Sequence, residues 1–513
     1  MHYDLALPSG LMAALVPEII VVSGAMLLLL WAVWRPESDV HQRNVAIGAA
    51  GVTLLAAAAV VYYMVSDASS GPGVIAVDRF RWASDLLFLL ATLIAIALSS
   101  DFSKREGITT AESHVLILLA TSGMMLLAAA RDLIILFLGI ELMSISVYVL
   151  AGLYRRSARA SEAALKYFLL GAFSTGFLLY GIALVYGAAG STNFTDIGRV
   201  VSERGFGALP MLQIGLALLV VGFAFKIGAA PFHMWTPDVY EGAPTPYTAY
   251  MAAGVKAAAF AAFIRVWLEA FPGTIEFGPP YKVLWWLAVA TMVIGNVVAL
   301  AQKNVKRLLA YSSIAHAGYI LVGVLVATPL GASAFLFYLV AYTLATMGAF
   351  AVVIALEEVG ERNQNVQDYA GLWRVRPWLA IAMAVFMLAL LGFPIAGGMG
   401  FFAKWYILQA ALDRSQFYLS VYLVLTSVVS AGYYLSVVMV MFMRPRAEGA
   451  PLPSRVPRAT GIVIAATAVV LLVFGIFPSP VLRFARDNTI TIAPPSAAAS
   501  PRAGALVPAA NSH

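Results

Sequence analysis

The sequence predicts an all-α polytopic membrane protein with about fourteen transmembrane helices. Three observations lead there. Of the 513 residues, 61% are hydrophobic and only 11% are charged, against about 25% charged in soluble globular domains. The mean hydropathy is +0.87. The apolar residues are also gathered into runs of roughly 20, the length that crosses a hydrocarbon core about 30 Å thick.

The runs follow in order. The N-terminus, MHYDLALPSG, lacks the basic stretch of a signal peptide, and the first run, 11–34, is long enough to stay as a span. Spans follow near 45–65, 80–99 and 114–130, and Arg131 with Asp132 marks the turn into 132–153. The remainder lie near 163–187, 210–230, 245–270, 283–301, 308–327, 331–356, 378–402, 417–443 and 459–478. The Ala-, Pro- and Ser-rich tail after Phe484 reads as poorly ordered.

An even number of spans puts both termini on one side. The alternate loops containing Arg155, Arg156, Arg159, Lys303, Lys306, Arg307, Arg374, Arg376, Arg444 and Arg446 hold roughly seventeen Lys and Arg, and the other loops about nine. The positive-inside rule then assigns the richer set to the cytoplasm and both termini to the periplasm, or the equivalent outer compartment. A net charge of +6 is small for this length and gives no argument for nucleic acid. The chain has no cysteine, which excludes thiolate-held iron–sulfur clusters or zinc, and disulfides. No two of the six histidines stand three or four apart, so no metal or haem site is expected.

Two spans are interrupted. In the seventh, FKIGAAPFHMWTPDVYEGAPTP, Lys226 is followed by Pro231 and Pro237. In the twelfth, LGFPIAGGMGFFAKW, the stretch Gly392, Pro394, Gly397, Gly398 and Gly400 precedes Lys404. A break at membrane depth is tolerated only inside protein or beside a water-filled cavity. The two breaks are five spans apart, so a five-span repeat would be inverted in the membrane, and paired broken helices point to a transport path. Aligning Pro231 with Pro394 does not superpose Lys226 on Lys404.

Charges inside the spans single out the functional candidates, because an ionisable residue at membrane depth is costly and commonly lines an ion or proton path. Glu141 is about nine residues into span five, or ~14 Å at helical rise, and could serve either transport or a static helix contact. Lys226 is ~22 Å along its span, toward the cytoplasmic side, beside a break that makes its surroundings wet rather than lipidic. Its charge would depend on a nearby Glu141, as a proton relay needs. Lys256, mid-span among Ala and Gly, is poorly placed to snorkel. Lys404, after the second break, fits an exit-side station. Lys166 lies near the cytoplasmic end of span six, where snorkelling and relay are both open. His316, with Tyr311, Ser312, Ser313 and Tyr319 nearby, suits a structural or a hydrated relay role, and His233 lies in the break itself. Arg265, near a span end, reads as a snorkelling anchor.

These features resemble the large antiporter-like membrane subunits of respiratory complex I (NADH–quinone oxidoreductase) and its relatives, over nearly the whole chain. The residues that carry the resemblance are Glu141 in span five, Lys226 in broken span seven, Lys256 in span eight, Lys404 after broken span twelve, and KRLLAYSSIAHAGY opening span ten. The segment PFHMWTPDVYEGAPTPYTAY and the opening PEIIVVSGAMLLLLW look most like the branch containing subunit N of the bacterial enzyme.

The resemblance implies two inverted five-helix bundles with flanking helices: residues 1–113 for three N-terminal spans, 114–270 and 271–443 for the two halves, 444–483 for a loop and the last span, and 484–513 for the tail. It implies that Glu141 and Lys226 form a charge pair, that Lys256 is the central relay and Lys404 the exit relay, and that Lys166 matches a lysine of span six. It implies proton pumping across a bacterial inner membrane in contact with neighbouring antiporter-like and small membrane subunits. NADH, FMN, iron–sulfur clusters and quinone would belong to other subunits, since this chain has no dinucleotide glycine motif and no cysteine. A multi-subunit sodium–proton antiporter and a proton-pumping hydrogenase share much of the pattern. A static scaffold would carry it without pumping.

Overall fold

The computed structural model describes residues 1–36, 38–71, 73–108, 110–272, 278–326, 328–360, 362–394, 398–446, 448 and 454–490. The helices are α1 (Val16–Trp34), α2 (Asp39–Val65), α3 (Arg79–Glu106), α4 (Glu112–Ala129), α5 (Leu133–Ala151), α6 (Ala158–Ala189) and α7 (Pro210–Ile227). They continue with α8 (Thr245–Ala270), α9 (Pro279–Ala299), α10 (Val305–Val326), α11 (Pro329–Leu356), α12 (Pro377–Leu391), α13 (Met399–Asp413), α14 (Phe417–Met443) and α15 (Arg458–Ile476).

Polar residues at the ends of the apolar runs set where helices begin. Ser38, Asp78, Asp132 and Ser157 each accept a backbone N–H of the first turn, which satisfies groups that lipid could not. Asp132 in this way divides α4 from α5. Several helices outrun their predicted spans, α3 reaching Glu106 and α6 running from Ala158 to Ala189, because their polar ends continue the helix past the apolar stretch.

Thirteen helices among the described residues are long and apolar enough to cross a membrane. The twelfth crossing, read over 378–402 with an interruption from Gly392 to Gly400, runs on to Asp413. It is divided into α12 and α13, each 15 residues long, because Gly392 and Gly398 both take positive φ (74° and 51°) between them. Gly397 lies outside the described residues.

α8, α10 and α11 are buried almost throughout and form the centre, while α1, α2, α6, α14 and α15 expose most of their surface. Small residues allow the closest crossings. A Cβ on Gly123 of α4 would lie 2.5 Å from Met143 N of α5, and one on Gly295 of α9 would lie 2.5 Å from Ala315 N of α10. The two helix pairs thus cross alike, displaced along the chain by the same number of residues.

The first residues and the last described ones lie together. The Met1 ammonium donates to Ser66 O at 2.9 Å, and His2–Tyr3 pairs in parallel with Ser69–Ser70. Asp487, Thr489 and Ile490 border the same cavity as Asp67, Ala68 and Ser69.

Candidate functional site

The seventh crossing ends where Gly228 adopts φ 70°. The chain then turns through Pro231, exposed, and His233, half-buried with Nδ1 lacking a partner, before a short helix, Trp235–Gly242. Pro237 stands in the first turn of that short helix, where its missing N–H is not needed. The interruption therefore belongs to Gly228–Met234. Ala230 N–H donates to Thr291 Oγ1 of α9 at 3.0 Å, which ties the turn to the other half of the molecule.

Lys226, in the last turn of α7, is 5% exposed. Its Nζ donates to Ser144 Oγ at 2.7 Å and to Tyr148 OH at 3.1 Å, both on α5. Glu141 stands one turn earlier on α5, about 4.5 Å along the axis, and its Oε1 has no hydrogen-bond partner. The two groups share a face, yet no ion pair joins them; two hydroxyls hold the ammonium instead.

Lys256 follows a π-helical turn, Met251–Val255, in α8, a distortion common at functional sites. Its Nζ donates to Ser313 O and Ser313 Oγ of α10, each at 2.8 Å. From α10 a file of hydroxyl, imidazole and amide groups runs on. Ser312 and Tyr434 share a hydrogen bond. His316 joins Tyr434 OH through Nε2 at 3.1 Å and Tyr338 OH through Nδ1 at 2.7 Å. Asn296 accepts from Tyr433 OH and donates to Tyr319 OH, both at 2.9 Å. The Lys404 ammonium lies 4.6 Å from the centre of the Tyr319 ring and donates to Leu391 O at 2.9 Å, the last residue of α12. Pro394 is exposed in the turn before Gly398.

The sequence points to Glu141, Lys226, Lys256, His316 and Lys404; the fold buries the three lysines and His316 and leaves Glu141 partly exposed. It does not point to Asn296, Tyr338, Tyr433 or Tyr434. The only signal for these is a polar atom within an apolar run, and most tyrosines in such runs are packing residues.

Lys166 is separate from these groups. Its side chain, 42% exposed, pairs with Glu162 at 2.7 Å and Asp238 at 2.9 Å, and Arg307 pairs with Asp238 and Glu241 at 2.9 Å each. These groups line a cavity of about 170 Å³. Burial opposes ionisation of Asp238, but hydrogen bonds from Lys166 and Arg307 outweigh it and hold the carboxyl below its ordinary range.

Arg265 is not a snorkelling anchor. It is 0% exposed, donating to Ala128 O, to both Asp78 oxygens and to Glu269 Oε1. Arg131 also donates to Glu269, at 3.0 Å. The span-end position hid this, since the carboxylates lie in the loop before α3 and one turn on along α8. A second buried cluster unforeseen from sequence joins Arg81 to Glu18 at 2.6 Å and to Asp85 at 3.7 Å.

Comparisons with known proteins agree with this architecture. The transmembrane family model of NADH:quinone oxidoreductases and Mrp antiporters matches residues 130–430. The chain is 53% identical over 507 residues to an NADH-quinone oxidoreductase subunit N from Gemmatimonas aurantiaca, covering 96% of each. It is similar to a chain of respiratory complex I from Thermus thermophilus, solved with bound aureothin, with a TM-score of 0.77 and 37% identity over 91% of this chain and 98% of that one. A chain of the Mrp complex from Dietzia superposes with a TM-score of 0.82 at 22% identity, covering 93% and 97%, which is a likeness of fold.

Proposed function

The chain belongs to the NADH:quinone oxidoreductase/Mrp antiporter family, and from that premise we propose that protons cross it by way of Glu141, Lys226, Lys256 and Lys404. It is a proton-translocating membrane subunit of the complex I type, working with the other subunits of an NADH:quinone oxidoreductase complex. The 53% identity to a subunit N favours this branch over an antiporter or hydrogenase assignment.

The observation that supports the relay reading is a row of buried polar groups between Lys256 and Lys404 in three hydrogen-bonded pieces: Lys256 with Ser313, then Ser312, Tyr434, His316 and Tyr338, then Tyr433, Asn296 and Tyr319 beside Lys404. Each hydroxyl and the imidazole can donate and accept, which proton hopping requires. Lys226 is poised between two seats one helical turn apart: the hydroxyls that hold it and the unpartnered Glu141. A shift that brings Glu141 to Lys226 stabilises a charged ammonium; withdrawal leaves a buried cation with neutral partners only, and its proton passes toward Lys256. The alike crossings of the two helix pairs set Ser313 where Glu141 stands in the first half. Lys256 therefore rests on the second half's counterpart of the first acid.

Redox energy reaches this subunit through contacts with its neighbours, and NADH, FMN, iron–sulfur clusters and quinone act elsewhere in the complex. The inner membrane of a bacterium is the proposed location, with both termini periplasmic. Protons then enter near the Gly228–Met234 turn and leave near Lys404. His233 beside that turn is an entry candidate, and the Lys166 cluster lines the approach.

Glu141→Ala and Lys226→Ala are expected to assemble into the complex yet lower NADH oxidation and proton pumping together in membrane vesicles. Normal pumping by an assembled Lys226→Ala complex would sink the relay.

A further inference from the structure

We propose that Gly392 is a positioning residue for Lys404, keeping open the space that lysine needs against a broken helix end; Gly228 ends the other broken helix in the same conformation, near Lys256. This rests on the relay reading above. Both glycines terminate a half-helix in the left-handed region, at φ 70° and 74°. Behind each, the next N–H turns back by the same route: Ala229 N–H donates to Ala224 O at 2.8 Å, and Phe393 N–H to Leu388 O at 3.0 Å, the Schellman arrangement. Carbonyls of the last turn are left for other donors, and Lys404 Nζ takes Leu391 O.

A Cβ added to Gly392 would lie 2.9 Å from Lys404 Cδ and 3.5 Å from Cε, with Gly400 O at 3.4 Å. The stem must shift to make room, and the ammonium it carries is held by Leu391 O and faces the Tyr319 ring, so the shift disturbs that seat. At Gly228 a Cβ would meet Thr236 Oγ1 at 2.9 Å and stand 4.0 Å from Lys256 Nζ. Two half-helices in different parts of the chain thus present the same object, a left-handed glycine beside a relay lysine. Helix ending alone does not call for this. Gly107 and Gly190 also end helices, at φ 65° and 73°, and a Cβ on either meets nothing within 4 Å.

The test separates space from backbone strain. Asparagine tolerates the left-handed region better than other side chains, so Gly392→Asn keeps the helix end while filling the space, and Gly392→Ala adds a smaller group with more strain. Each is compared with Gly190→Asn and Lys404→Ala in vesicles containing the whole complex, reading the rates of NADH oxidation and proton pumping across pH. The Gly392 variants are expected to assemble and lose about tenfold in pumping, as misplacement of a reacting group by ~1 Å can cost up to ~100-fold. Their pH profile is expected to shift, because the seat of the ammonium is disturbed, while Gly190→Asn pumps normally. Wild-type pumping rate and pH profile in Gly392→Asn overturn the assignment. So does an equal loss at every pH, or failure of both Gly392 variants to assemble, which would make the glycine a folding residue only. Normal pumping by Lys404→Ala would instead remove the relay reading, whatever the glycine variants do.

Discussion

Asp78 is charged because two arginines surround it. Burial favours its neutral form, but the Arg265 guanidinium, its hydrogen bonds, the Arg81 backbone N–H and Arg131 outweigh that and push the carboxyl from 3.8 down to about 2. A carboxyl depressed in the folded state stabilises the fold fully above its ordinary value, and the contribution is lost as pH falls through the folded one. The acid stability of the detergent-purified complex should therefore fall between pH 3.8 and about 2. Asp78→Asn should be less stable at neutral pH and flatter in that window, measured by thermal melting. Tyr434 tests the relay at the same scale. Tyr434→Phe removes the partner of both Ser312 and His316, and each orphaned buried group costs about 1–3 kcal/mol. Pumping should drop while the complex remains assembled. Unchanged pumping in Tyr434→Phe would take that hydroxyl out of the path. The lysines were legible from the sequence because a charge stands out in an apolar run. Their seats were not, because Ser144 is 82 residues from Lys226 and Ser313 is 57 from Lys256, and nothing local records such pairing. Arg265 was misread for the same reason.

The broken crossings were legible as elements, and their pivots were not. Prolines draw attention as helix breakers, yet Pro237 opens a short helix, and the reversals occur at the left-handed Gly228 and Gly392. A glycine near a helix end is too common a signal to rank above a proline. Anchoring the comparison on glycine does not align Lys256 with Lys404 either, since they follow their glycines by 28 and 12 residues; each lysine comes near its glycine only in space. The first turn depends on a single bond to the opposite half. Thr291→Val keeps the shape of the side chain but leaves the buried Ala230 N–H without its acceptor, at a cost of about 1–3 kcal/mol. Amide exchange at residues 228–234 should rise in that variant with little change in α9 itself. Exchange that stays at the wild-type rate would mean the turn is held from elsewhere.

At the scale of the molecule, the third and last crossings are tied together. Asp101 of α3 accepts both Thr460 N–H at 3.0 Å and Thr460 Oγ1 at 2.8 Å, so an N-terminal helix caps the start of α15. Arg105, one turn on, donates to Ile354 O and Glu357 at the end of α11. The proposed division at 113 and 444 is therefore a division of sequence; in space the flanking helices close on one another. Asp101→Ala should free the start of α15 and raise protease cleavage in the preceding loop without altering α4–α8. The hydroxyl file through the centre has a kinetic consequence. Once a proton has hopped along Ser312, Tyr434, His316 and Tyr338, every donor in the file points the opposite way, and the next proton finds acceptors facing it wrongly until each group has turned. On the proposed relay, conduction is a ratchet of one hop and one reset, and the reset turns the buried Tyr434 hydroxyl and His316 ring, so that path predicts a turnover limited by reorientation rather than by how strongly the pump is driven.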